Sequence, residues 1–284
     1  MKRILLTGGT GQVGWELQRT LAPLGDVVVL DRRKLDLADP DAIRAAIRAA
    51  RPEFIVNAAG YTAVDQAETE IEKAMRVNGL APGVMGEEAL RLGAHLVHYS
   101  TDYVFDGSKD GPYTEDDAAA PLNAYGRSKL AGEQAIRASG CRHLIFRVSW
   151  IYGLHGKNFL RTMLRLAQER EELRVVADQF GAPTWSRLIA EATALALARP
   201  RPPEGLYHLA CAGHTSWHGF SEAILALSRN LRSREPALTA IPTHDYPLPA
   251  QRPRNSRLAC DRLAEDVSIR LPDWNDALRL CLDS

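Results

Sequence analysis

Tyr125 and Lys129 stand four residues apart where the sequence reads as the start of a helix, a spacing that puts a phenol and an ammonium on one helical face. An unperturbed phenol has a pKa near ~10. A neighbouring ammonium stabilises the phenolate and brings its proton into the working range, so the pair can protonate the alkoxide left when a carbonyl is reduced. The lysine can also reach a ribose hydroxyl of a bound cofactor. Alone, this spacing is common on exposed helices and carries little. Thr101 adds to it, because it follows an apolar run at residues 95–99. A hydroxyl at the C-terminal end of a parallel strand lies where open α/β sheets bind ligands, placed to donate to a carbonyl oxygen. Ser100 reads as a turn residue bonding backbone, and Tyr103 and Phe105 equally as packing or substrate contacts.

Gly8, Gly11 and Gly14 form GxxGxxG between an apolar run and a helical segment. Glycine permits the sharp turn, and backbone without side chains can approach a pyrophosphate at the following helix N-terminus. Asp31 comes about 20 residues later, at the end of the next apolar run, where a carboxylate can accept from a ribose hydroxyl. Arg32 and Arg33 follow it and could instead hold the 2′-phosphate of NADP. Both NADPH and NADH therefore remain open as cofactors.

These groups need a scaffold. Apolar runs at residues 4–7, 27–30, 54–57, 95–99 and 144–148 read as buried strands, and residues 15–24, 40–50 (behind Asp39 as N-cap) and 71–92 as helices. Strands alternating with helices imply an α/β fold, a Rossmann-type doubly wound parallel sheet covered on both faces. After Trp150 the rhythm changes. Helices are expected at 159–171, 188–198 and 220–231, strands at 173–177 and 206–209, a loop at 199–205 and an extended Pro-rich tail at 242–253. Residues 1–150 read as the dinucleotide-binding domain and 151–284 mainly as a smaller C-terminal substrate-binding lobe, with segments of about 173–200 able to return to the large domain.

The 35 Lys and Arg balance 35 Asp and Glu, so no net charge draws the 284-residue chain to nucleic acid or an anionic membrane. No apolar stretch approaches the ~20 residues of a membrane helix, and the opening apolar run does not resemble a signal peptide. A cytoplasmic protein with neither nucleic-acid nor membrane partner is expected. Cys141, Cys211, Cys260 and Cys281 form no CxxC pair and read as buried thiols of a reducing compartment. The eight histidines show no ligand spacing; His95 and His98 share no face of a strand and read as structural.

Taken in order, GxxGxxG, the Ser100-Thr101 pair and the Tyr125/Lys129 spacing resemble the extended short-chain dehydrogenases. Longer stretches narrow the resemblance. Gly11-Gln-Val-Gly-Trp-Glu-Leu17, Asn57-Ala-Ala59, Thr62-Ala-Val-Asp65, residues 98–105 and 146–152, Gln179-Phe-Gly-Ala-Pro-Thr184 and residues 252–258 look like those of dTDP-4-dehydrorhamnose reductases. This resemblance covers nearly the whole chain. It implies reduction of the 4-keto group of dTDP-4-dehydro-L-rhamnose to dTDP-L-rhamnose, for rhamnose-containing polysaccharides. Tyr125 would be the general acid, Lys129 would tune it and bind the nicotinamide ribose, and Thr101 would bond the substrate oxygen. Gly8, Gly11, Gln12 and Val13 would meet the pyrophosphate, Asp31 the adenosine ribose, and Asp36 and Leu37 the adenine side. Ala59, Gly60, Tyr61 and Thr62 would lie along the cofactor, and Val64, Asp102 and Trp150 against the nucleotide-sugar substrate.

Two positions depart from the family pattern. Some members bind magnesium through acidic residues at a dimer interface, and Glu16 matches one of these. Arg187 stands where another carboxylate is expected, so no metal site is expected, and assembly as monomer or homodimer stays open. Gly60 replaces an expected Ala. Two other readings compete: a reductase or epimerase acting on another nucleotide-linked keto sugar, and a non-catalytic NADP-binding regulatory subunit. The intact Tyr125, Lys129 and Thr101 argue against the last, which has no chemical need for all three.

Overall fold

In the strand Lys2–Thr7 (β1), Ile4 and Leu6 are fully buried on one face of a sheet and Leu5 on the other, the pattern of a strand covered twice. The computed structural model describes residues 2–231 and 234–284. After β1 come Gln12–Thr20 (α1), Gly25–Leu30 (β2), Pro40–Ala50 (α2), Phe54–Asn57 (β3), Ile71–Met75 (α3), Ala81–Leu92 (α4), His95–Thr101 (β4), Ala124–Ala138 (α5) and Arg142–Val148 (β5). The second half holds Ile151–Tyr152 (β6), Phe159–Glu169 (α6), Glu172–Val176 (β7), Phe180–Gly181 (β8), Thr184–Trp185 (β9), Ser186–Ala198 (α7) and Gly205–Leu209 (β10). Thr215–Ser216 (β11), Trp217–Leu227 (α8), Ala237–Ile241 (β12), Asp261–Val267 (α9) and Trp274–Leu282 (α10) complete it.

Six strands form one parallel sheet in the order β10-β5-β4-β3-β1-β2. The chain runs from β1 outward to β2 and then crosses back to β3. The crevice beyond the ends of β1 and β3 is thus the switch point, where doubly wound sheets bind ligands. Leu17 of α1 and Ile189 of α7 join the core on one face; Ile43 of α2, Val84 of α4 and Ile136 of α5 join that on the other. β10 lies in this large sheet, although it falls within the stretch read from sequence as the smaller lobe. β2, expected as a buried strand, is only half-buried because it is an edge.

Local chemistry explains several boundaries. Asp39 caps α2, accepting from the Asp41 and Ala42 amides. α1 stops at Thr20, short of the expected Leu24, and Pro23 sits in a single 3-10 turn before β2. The segment 71–92, expected as one helix, is interrupted by a π turn at Arg76–Leu80, where the Ala81 amide reaches back to the Arg76 carbonyl. Pro82 has no N–H to offer the Asn78 carbonyl, so the regular ladder cannot continue through it.

In the second half β7 pairs in parallel with β12, and α6, α8 and α10 pack around Phe220, Leu160, Leu173 and Leu278. α8 starts earlier than expected, at Trp217, because Ser216 caps it. α9 and α10 were not anticipated; Asp273 caps α10 by accepting from the Asn275 amide. Among the described residues no helix is long and apolar enough to cross a membrane.

Candidate active site

A cavity of about 1130 Å³ opens at the switch point. Gly8, Gly11, Gln12 and Val13 line it from the turn after β1, Asp31, Asp36 and Leu37 from beyond β2, and Ala59, Gly60, Tyr61 and Thr62 from beyond β3. The glycines divide the labour. Gly8 has a left-handed φ of 74°, and a Cβ there would fall 2.6 Å from the Ala58 carbonyl carbon. A Cβ on Gly14 would fall 2.0 Å from the Gly8 carbonyl oxygen. Both let backbone pack on backbone, while Gly11 is exposed and faces the cavity. No side chain caps α1 and no acidic residue sits in its first turn, so its N-terminus is left for an anion. One Asp31 carboxylate oxygen accepts from the Arg33 and Lys34 amides at 3.0 and 3.2 Å. Arg32 lines the cavity; Arg33 does not.

A strap from the second half closes over this turn. His155 stacks on Trp15 with centroids 4.1 Å apart, and its Nε2 lies 3.1 Å from the Thr10 carbonyl. The Asn158 amide donates to Gln12 at 2.9 Å, and Gly156 and Lys157 join the cavity wall.

Tyr125 and Lys129 project from the first turns of α5, which Asn123 caps by accepting from the Gly126 amide at 2.8 Å. Burial pushes the Tyr125 phenol up to about 12, partly offset by a hydrogen bond with Thr101. Burial pushes the Lys129 ammonium the other way, down to about 8. Lys129 Nζ donates to the Tyr99 carbonyl at 2.5 Å and lies 3.3 Å from His98 Nε2. Asn78, in the π turn, braces this end of the site. Its amide donates to the Tyr61 carbonyl and the Ser128 hydroxyl, and its oxygen accepts the Tyr61 amide.

Thr101 ends β4, but its one proton goes to Asp102 at 2.9 Å, so the donor expected to face a substrate oxygen is engaged. Asp102 is buried and also accepts from Ser149 at 3.1 Å. Burial pushes its carboxyl up to about 6, against the hydroxyls of Thr101, Ser256 and Ser149. Ser100 is buried inside β4 with no partner for its hydroxyl, not in a turn bonding backbone as expected.

A second cavity, of about 810 Å³, is lined by Tyr103, Gln179, Trp217, the tail around residues 243–252 and the α6 face with Phe159 and Met163. Tyr103 meets Tyr125 edge-on, with centroids 6.0 Å apart. On the other side a Cβ on Gly60, in the wall of the first cavity, would stand 4.0 Å from Lys129 Nζ. Tyr125 and Lys129 themselves line neither cavity; the pair lies between these two walls. Trp150 has a left-handed φ of 44° and stacks on Trp217 at 3.5 Å, so it backs the second cavity through Trp217 without lining it. Val64 is half-buried and lines neither cavity.

The sequence reads His98 as structural and gives no functional role to Asn78, Gln179, Trp217 or Arg252. Pro82 signalled the π turn that carries Asn78; the others are joined to the site only by tertiary contacts. Phe105 is core packing, stacked on Tyr113. Arg187 pairs with Glu191 at 3.0 Å, and Glu16 is half-buried on α1.

Comparison with known proteins agrees with this architecture. The family model described as the RmlD substrate binding domain matches residues 1–284. A dTDP-4-dehydrorhamnose reductase of Burkholderia thailandensis is 52% identical over 99% of this chain and 98% of its own, and that of Escherichia coli K12 is 46% identical over 99% and 97%. The solved structure of dTDP-4-dehydrorhamnose reductase from Bacillus anthracis in complex with NADP superposes with a TM-score of 0.94 at 33% identity, covering 99% of each chain. The chain belongs to the dTDP-4-dehydrorhamnose reductase family.

Proposed function

We propose that this protein reduces the 4-keto group of dTDP-4-dehydro-L-rhamnose to dTDP-L-rhamnose, using NADPH or NADH. The observation that carries this reading is the Tyr125/Lys129 pair standing between a glycine-turn cavity and a second cavity. The first cavity suits a dinucleotide. Gly8 and Gly14 leave no room for a Cβ, Gly11 faces inward, and the α1 N-terminus is uncapped. Gly8, Gly11, Gln12 and Val13 would hold the pyrophosphate, and Asp31 with Arg32 the adenosine ribose. Asp36 and Leu37 would flank the adenine, and Ala59, Gly60, Tyr61 and Thr62 the cofactor's length. The bound reduced nicotinamide supplies the hydride.

Tyr125 gives its proton to the C4 oxygen, and Lys129 lowers the cost of leaving a phenolate behind. Thr101, hydrogen-bonded to Tyr125, holds the phenol in place and favours its phenolate, while its own proton rests on Asp102 in the cofactor-free protein. To bond the substrate oxygen as donor it must first release Asp102. Asp102, Val64 and Trp150 support the sugar-nucleotide side. In this reading residues 1–150 with β10 hold the cofactor and most of 151–284 hold the sugar nucleotide. The pool of reduced nicotinamide and nucleotide sugars puts the reaction in the cytoplasm, in a monomer or homodimer.

The test is direct. Protein, NADPH and dTDP-4-dehydro-L-rhamnose are mixed and the absorbance of the reduced cofactor is followed. Oxidation matching the keto sugar supplied is expected; no oxidation overturns the reading. Tyr125→Phe should lower kcat by ~10²–10⁴-fold while NADPH affinity holds; an unchanged kcat removes Tyr125 as the acid.

A further inference from the structure

His98 is fully enclosed in β4, and the proposed function gives it no task. Its two ring nitrogens face Asn57 and Lys129, and the surrounding bonds decide which of them carries the proton. Asn57 Oδ1 accepts from the Thr7 hydroxyl at 2.7 Å and from the Ala59 amide at 3.3 Å. That orientation turns the Asn57 amide nitrogen to His98 Nδ1, 3.1 Å away. An amide nitrogen only donates, so Nδ1 accepts and the neutral ring carries its proton on Nε2.

This N–H points at Lys129 Nζ, 3.3 Å away. An ammonium has three donors and no acceptor, so it would set donor against donor there. A neutral amine accepts from Nε2–H through its lone pair and still donates to the Tyr99 carbonyl. Only the amine satisfies every atom of the network.

The other groups around Lys129 do not reverse this. Tyr125, on the same helix, is held in its phenol form by burial. Glu133, one turn further on, would favour the ammonium, but both its oxygens are held by Arg147 of β5 at 2.9 and 2.7 Å. Asp102 lies beyond Tyr125, and Asn78 of the π turn and the Gly60 backbone on this side are uncharged. Burial lowers the proton affinity of both Lys129 and His98, in the same direction as the bonding argument.

We propose that His98, its tautomer set by Asn57, is a positioning residue that favours the neutral amine of Lys129 in the cofactor-free protein, so that cofactor binding draws a proton onto Lys129. The proposal rests on the cofactor reading above. Ribose hydroxyls offer Lys129 the acceptors that His98 withholds, so above pH about 8 the ammonium that tunes Tyr125 forms once the cofactor is in place. Affinity should then fall with rising pH above the pKa of free Lys129, by up to ~10-fold per pH unit.

Two measurements test it. Histidine ¹⁵N spectra of the cofactor-free protein should show His98 protonated on Nε2 with Nδ1 as acceptor; the Nδ1–H tautomer or an imidazolium overturns the proposal. Calorimetry of NADH binding in buffers of different ionisation heat reads proton uptake. NADH avoids the titrating 2′-phosphate, and the Tyr125→Phe protein removes the phenol. Between pH about 8 and 10.5, uptake approaching ~1 proton per NADH is expected. Adding His98→Leu should move its onset to higher pH. No uptake in the Tyr125→Phe protein, or an onset that stays put or moves lower when His98→Leu is added, overturns the proposal. Failure of NADH to bind at all instead rejects the cofactor reading, and the tautomer measurement still decides this one.

Discussion

Arg252 closes its guanidinium on both oxygens of the Asp65 carboxylate, at 2.5 and 2.6 Å, although the two residues lie 187 positions apart in sequence. The same carboxylate accepts the Ala250 amide at 3.1 Å. The pair thus fastens the tail that walls the second cavity to the loop after β3, and Arg252 also bonds Tyr103, the neighbour of Tyr125.

Arg252→Gln should therefore loosen the sugar-nucleotide side and leave the cofactor side intact. A part-exposed charged pair of this kind is worth ~1 kcal/mol, so KM for the sugar nucleotide should rise ~5-fold. Steady-state kinetics with each substrate varied in turn would check it, and a rise confined to NADPH would contradict it. Arg252 holds the Asp65 carboxyl below its ordinary 3.8. Its contribution to stability is present above that value and lost as pH falls through the lowered one. Arg252→Gln should flatten this acid loss in melting curves.

Arg32, in the cavity wall beside Asp31, is the group placed to meet a 2′-phosphate. A charged hydrogen bond is worth ~1.5–3 kcal/mol, so Arg32→Ala should shift the kcat/KM ratio of NADPH to NADH toward NADH by ~10-fold or more. An unmoved ratio would take Arg32 out of cofactor choice.

Two buried histidines set the acid limit of the fold. Burial pushes His95 down to about 4, and burial with Arg147 nearby pushes His208 down to about 3. Below the ordinary 6.5 the unfolded chain takes up protons that the folded chain refuses. Their contribution is thus whole above 6.5 and is lost as pH falls toward 4 and then 3. Denaturant midpoints should drop across that window by roughly 1.4 kcal/mol per pH unit for each histidine, and His208→Gln should lessen the slope. A slope equal to that of the wild type would mean His208 does not titrate on unfolding.

Glu133 and Arg147 form a two-pronged ion pair with side chains only 2% and 4% exposed. Glu133→Gln leaves Arg147 charged without a counter-ion and should cost ~3–5 kcal/mol of unfolding free energy. Adding Arg147→Met should restore part of that loss. Additive costs in the double variant would show that the two residues do not act as a pair.

The parallel sheet and the first cavity were legible in the sequence because both are written locally. A strand covered twice is an unbroken apolar run, and GxxGxxG is a turn within seven residues. The order of Gly8, Thr101 and Tyr125 along the chain then placed them at one end of one sheet. What escaped lies in contacts between distant segments. Nothing near Arg252 announces Asp65, nothing near Trp150 announces Trp217, and the Thr101 proton is committed by Asp102 in a way only coordinates reveal. β2 looked buried because its valines match those of inner strands, but an edge position exposes one side of any strand. His98 was read as structural from spacing alone, and its tie to Lys129 crosses from strand to helix.

The packing of the glycine turn has a practical meaning for anyone redesigning this protein. With a Cβ at position 14 falling 2.0 Å from the Gly8 carbonyl oxygen, the turn has no mutational slack. Libraries aimed at new cofactors should leave positions 8 and 14 untouched and draw their diversity from residues 32–36, where exposed side chains at 32, 33, 34 and 36 can change without displacing backbone.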